Sequence, residues 1–64
     1  MPFIKVEAGK MSKEQKEKLM AGFTKLASET LGFAEEHFIV LVKENDLDNW
    51  GVGGKMLSTI LPKN

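Results

Sequence analysis

Apolar and polar residues alternate from the start of the chain: Pro2, Ile4, Val6 and Ala8 share one parity, while Lys5 and Glu7 take the other. This period of two marks a strand over Phe3–Glu7 with one face turned to a core. Gly9-Lys10 breaks the pattern. From Ser12 the period lengthens, and Leu19, Phe23, Leu26, Ala27 and Leu31 recur at spacings of three and four, drawing one apolar stripe along a helix. Ser12 and Gln15 fit the reciprocal capping box, in which a hydroxyl and an amide satisfy orphan backbone N–H groups. Glu14, four residues before Lys18, predicts a favourable exposed pair. Gly32 stands where the left-handed residue past a helix end is needed, so the spacing predicts a helix from Ser12 to Leu31. Period two returns over His37–Glu44, with Phe38, Val40 and Val42 on one face and His37, Ile39, Leu41 and Lys43 on the other.

A strand, a long helix and a second strand predict an α/β fold: a β-α-β subunit whose two strands pair in parallel through a right-handed crossover. Asn45 to Asp48 is polar and loop-like. Trp50-Gly51-Val52-Gly53-Gly54 predicts a turn or short C-terminal hairpin carrying an aromatic ring, and Met56, Leu57, Ile60 and Leu61 form a short apolar tail before Pro62. Residues 1–64 read as a single domain. The helix covers one face of the sheet and leaves the other bare. A two-stranded sheet is not stable alone, and its open face and edges predict association with other subunits.

Size and composition sharpen that expectation. A chain of 64 residues buries only about 60% of the surface its unfolded form exposes, and folds this small usually add disulfides, a metal or partner subunits. Cysteine is absent, and a single histidine disfavours a structural zinc site, so no structural metal is expected. Oligomerisation remains, in keeping with a 42% hydrophobic content. Net charge is zero, which leaves no electrostatic footprint for nucleic acid or anionic membrane. All nine basic residues are lysines, so the arginine fork that usually recognises carboxylates is missing. The N-terminus lacks the apolar core of a signal peptide, and no apolar run approaches the roughly 20 residues that span a bilayer. A cytoplasmic protein is the expectation.

Three segments carry a resemblance. Met1-Pro2 leads straight into a strand, Ser12-Lys13-Glu14-Gln15-Lys16 opens the helix, and Trp50-Gly51-Val52-Gly53-Gly54 follows the second strand. Together, and over nearly the whole chain, they resemble the 4-oxalocrotonate tautomerase family. The resemblance implies a homo-hexamer built as a trimer of dimers, or a dimer, with active sites at subunit interfaces. It also implies a cofactor-independent tautomerase, a keto–enol isomerase of small 2-oxo acids or related enols, with the N-terminal proline as general acid and base.

The chemistry of Pro2 suits that role once Met1 is removed. Within a chain its nitrogen is an amide; at a terminus it is a secondary amine, with a reference α-amino pKa of about 7.7–8.0. Partial desolvation or a nearby cation lowers that value, leaving a neutral base near physiological pH. The plainer alternative is a proline that merely starts an edge strand.

The remaining candidates are carried over residue by residue. Trp50 stands where the family has an aromatic in its active-site wall; packing in a subunit interface is the other reading. The family's enzymes commonly place one arginine just before the helix-opening serine and another on the second strand. Here those positions are Met11 and Ile39, and neither binds a carboxylate. Lys10, beside the first of them, is a substitute cation or a solvated loop lysine. His37, on the predicted strand face of Ile39, is a hydrogen-bond donor or second acid in the same pocket, or a polar residue where the strand begins. Pro2 is thus the candidate catalytic residue, and Trp50, Lys10, His37 and Ile39 the candidate substrate-binding residues. The resemblance leaves two alternatives open. One is a hydratase or dehalogenase using Glu7, His37 or Glu44 to activate water. The other is a non-catalytic oligomer that kept the fold and lost the arginines.

Overall fold

The computed structural model describes residues 1–61; Pro62, named above as the end of the apolar tail, lies outside them. Strand β1 (Phe3–Ala8) is followed by helix α1 (Lys13–Leu31), a 3₁₀ turn (Glu35–His37) and strand β2 (Ile39–Glu44). A second 3₁₀ turn (Leu47–Asn49), strands β3 (Gly51–Val52) and β4 (Lys55–Met56) and the short helix α2 (Leu57–Ile60) complete the chain. β1 and β2 pair in parallel from Phe3↔Ile39 to Ala8↔Glu44, and β3 and β4 form an antiparallel hairpin. The β-α-β subunit and the C-terminal hairpin are those predicted from the pattern.

Helix α1 starts as its sequence specifies. The Ser12 hydroxyl accepts from the Gln15 N–H at 3.1 Å and the Gln15 side chain accepts from the Ser12 N–H at 2.8 Å, so two orphan donors are satisfied at once. At the other end Gly32 turns the chain at φ 81°, a conformation in which a Cβ is strained. The Ser28 hydroxyl donates to the carbonyl oxygen of Phe33, which fixes the chain just past that glycine.

Three expectations change. The second strand begins at Ile39, because the His37 N–H bonds Ala34 O at 3.0 Å and the Phe38 N–H bonds Glu35 O at 3.1 Å. These bonds close a turn where the alternation predicted extended chain, so His37 does not share a strand face with Ile39. The helical stripe is only partly covered. Leu19, Phe23 and Ala27 are half-buried, but Leu26 and Leu31 are 64% and 56% exposed. Two strands about 4.8 Å apart make a sheet too narrow to cover the whole apolar side of the helix. Finally, Glu14 and Lys18 form no ion pair; the pairs among the described residues are Lys5–Glu7, Lys43–Glu7 and Lys16–Glu44. Solvated i,i+4 pairs gain only about 0.3–0.5 kcal/mol, too little to hold two long side chains together.

Lys16–Glu44, at 2.7 Å, is the pair that matters structurally. The second Glu44 oxygen accepts the Met11 N–H at 2.8 Å, so one carboxylate ties the end of β2 to the start of α1. The Lys16 hydrogen bond, then the Met11 N–H, hold the Glu44 carboxyl below its usual 4.5. A carboxyl whose pKa is depressed by folding adds stability above its unfolded value and loses it as pH falls through the folded value. The wild-type Tm is therefore expected to fall more steeply between about pH 5 and pH 3 than that of Glu44→Gln. Parallel Tm curves for the two chains would remove the clamp from the account.

No described residue is buried. On the bare sheet face Phe3, Ile39 and Leu41 are 58%, 47% and 47% exposed. The radius of gyration is 15.0 Å, against about 11 Å for a compact chain of this length.

Candidate active site

The parallel register brings the starts of β1 and β2 together at one end of the sheet. There the Ile39 N–H bonds the Pro2 carbonyl at 3.1 Å, so Pro2 is fixed against β2 two residues beyond His37. An open cleft of about 700 Å³ lies at this end, lined by Met1, Pro2, Phe33 and His37. Its long axis of constraint is backbone: the Glu35–His37 turn, the Ser28–Phe33 bond and the first rung of the sheet set three of the four residues. The His37 imidazole is exposed and has no hydrogen bond or ion pair to the described residues. In the chain with Met1 attached, the Pro2 nitrogen is an amide.

Of the predicted site residues, Pro2 and His37 share this cleft. Ile39 is their backbone neighbour, but its side chain lies on the bare face with Phe3 and Leu41 and does not line the cleft. Lys10 and Trp50 are at the opposite end of the sheet. The Asn45 N–H bonds Ala8 O at 2.7 Å, closing that end, and the half-buried Trp50 donates its indole N–H to Asn45 O at 3.3 Å. Lys10 follows β1 there and lines a second groove with Met11, Gln15 and the apolar side of α1. The six residues of β1 separate the two ends by roughly 20 Å. One chain therefore does not bring Pro2 together with Lys10 or Trp50.

Phe33 was not among the predicted site residues. Its signal is an aromatic immediately after the helix-ending Gly32, a place where an apolar residue usually packs back toward the helix. Here it is 53% exposed and faces the cleft instead.

Glu7 lies on the bare face near Lys5, Lys43 and Asn45. The Asn45 side-chain amide donates to it at 3.2 Å; that bond first, then the two lysines, hold its carboxyl below the usual value. Glu7 and Glu44 are thus both engaged carboxylates, remote from the cleft.

A β-α-β unit with an incompletely covered sheet and an open cleft at the start of its first strand defines a class of small α/β subunit. Comparison with known proteins fixes the family. The tautomerase enzyme family model matches residues 2–60, beginning at Pro2 itself. The chain is 38% identical over 60 residues to probable tautomerase K2 of Dickeya dadantii, covering 91% of this chain and 90% of that one. It is 36% identical over 59 residues to 2-hydroxymuconate tautomerase of Bacillus subtilis, covering 91% and 95%. The crystal structure of YwhB, a homologue of 4-oxalocrotonate tautomerase, superposes with a TM-score of 0.86 at 33% identity, covering 94% of this chain and all of that one. This chain belongs to the tautomerase family. Among the described residues no helix is long and apolar enough to cross a membrane.

Proposed function

We propose that this protein is a cofactor-independent tautomerase that interconverts keto and enol forms of small 2-oxo acids, with Pro2 as its base after Met1 is removed. The observation that carries the reading is the position of Pro2 in the cleft at the start of β1, together with a family match that begins at that residue. As a secondary amine Pro2 takes the proton on the carbon next to the ketone in the enolising direction and returns it in the other. Phe33 supplies an apolar wall, which favours the neutral amine over the ammonium.

The subunit works as part of a homo-oligomer, a hexamer or a dimer. Support comes from a described chain without one buried residue and from the apolar residues on its bare sheet face. A second copy is also the source of the Lys10 and Trp50 end. Lys10 then supplies a point charge for the substrate carboxylate, Trp50 closes the wall, and Ile39 contributes apolar surface where the sheet meets its neighbour. Of the three groups considered for activating water, Glu7 and Glu44 are engaged elsewhere and His37 alone is left, and the match to the tautomerase family favours tautomerisation.

The test is to prepare the protein with and without Met1, verified by intact mass, and follow enolisation of phenylpyruvate by absorbance. Activity is expected to track the fraction of chains that begin at Pro2, and kcat/KM to rise on the acid side of its pH profile as the amine loses its proton. Equal activity in the Met1-bearing sample would sink the proposal.

A further inference from the structure

We infer that His37 is a second catalytic residue, the acid that exchanges a proton with the substrate oxygen while Pro2 exchanges one with the carbon. The inference rests on Pro2 being the base. Keto–enol conversion moves protons at two atoms, and a separate acid at the oxygen lets Pro2 serve the carbon alone. The chain has no arginine to polarise the carbonyl, and the Lys10 that a second copy brings to the cleft is engaged with the substrate carboxylate in the proposed reading. Of the side chains lining that cleft, His37 is the titratable one. Its placement relative to Pro2 is set by backbone: the 3₁₀ bond from the His37 N–H to Ala34 O, and the bond from the Ile39 N–H to Pro2 O two residues on. Its imidazole is uncommitted to the described residues and so is available to a ligand.

The step balances without any co-reactant. In enolisation the neutral Pro2 nitrogen takes the proton from the carbon beside the carbonyl. The C–H electron pair becomes the C=C bond, the C=O π pair moves to oxygen, and imidazolium His37 donates its proton there. Pro2 ends as ammonium and His37 as neutral imidazole, and exchange with solvent restores both. The charged groups on the elements around His37 are Glu35 and Glu36 in its own turn, the terminal amine at the start of β1, and Lys25 and Glu29 on the end of α1 that packs against the turn. None forms an ion pair with it.

The experiment compares Met1-free wild type, His37→Ala, His37→Gln and Pro2→Ala in phenylpyruvate enolisation across pH. Wild type is expected to give a bell-shaped profile belonging to the Pro2–His37 pair. Both His37 variants are expected to lose about 100-fold in kcat with little change in KM, and the bell to collapse to one rising limb. Added imidazole is expected to restore about tenfold of the loss in His37→Ala and none in His37→Gln, whose side chain fills the space. A His37→Ala chain with the wild-type rate and profile, or one that is slow but keeps the bell and ignores imidazole, overturns the inference while the Pro2→Ala loss leaves the base assignment standing. A Met1-bearing chain as fast as the Met1-free wild type overturns both.

Discussion

Pro2→Ala, with Met1 removed, is expected to lower kcat for enolisation by about 100-fold, while the Met1-bearing chain falls to the background rate. The two losses differ for a chemical reason. Alanine at residue 2 still begins the processed chain with a basic amine. What it lacks is the ring, which fixes the lone pair relative to the first backbone bonds and leaves few orientations to search. The first rung of the sheet, from the Ile39 N–H to Pro2 O at 3.1 Å, holds the residue from its carbonyl side and survives the substitution, so the amine stays at the cleft but turns freely. The variant should therefore sit at the low end of the 10²–10⁴-fold range that a positioned acid–base group contributes. Retaining Met1 removes the basic nitrogen altogether, and no repositioning recovers it. Rate measurements on the three samples at one pH, each with its mass checked, decide the matter. If alanine falls as far as the blocked chain, the proline ring is indispensable to the base; if it matches wild type, the ring contributes nothing and any terminal amine serves.

Much of the architecture was legible because it rests on local rules. The parity of Ile4, Val6 and Ala8, the Ser12–Gln15 box and the helix-ending Gly32 each specify backbone within a few residues, and the structure follows them. The start of β2 was misread because alternation continues through His37 while the hydrogen bonds do not. An i→i+3 bond closing on Ala34 leaves no mark in the period of the side chains. Phe33 was missed for a related reason, since its position depends on how the chain leaves the left-handed Gly32. Leu26 and Leu31 were expected in the core because period alone does not reveal how narrow the opposing sheet is. Pro2 can be proposed from chemistry and resemblance, and His37 only through a strand face that the structure does not give it; their separation from Lys10 and Trp50 is a matter of register, since parallel pairing from Phe3↔Ile39 to Ala8↔Glu44 puts the two groups at opposite ends.

That separation yields the second large effect. A 2-oxo acid is far shorter than the roughly 20 Å between the ends of β1, so no substrate bridges Pro2 and the Lys10–Trp50 end of the same chain. If both ends act on one molecule, they come from different copies. Pro2→Ala chains and Lys10→Ala/Trp50→Ala chains should then each be weak as pure oligomers. Unfolded together in equal amounts and refolded, they should regain about a quarter of wild-type activity, the share of interfaces that pair an intact Pro2 with an intact far end. This recovery separates two uses of Trp50 that static burial does not distinguish. A tryptophan that only packs at the interface lowers assembly, so its effect should follow subunit concentration and disappear when oligomers are saturated. A tryptophan that walls another subunit's cleft changes kcat/KM in fully assembled protein and is corrected by mixing. Activity that stays at the average of the two parents, in mixtures shown by mass to be hybrid, would mean that each chain works with the residues at its own Pro2 end alone.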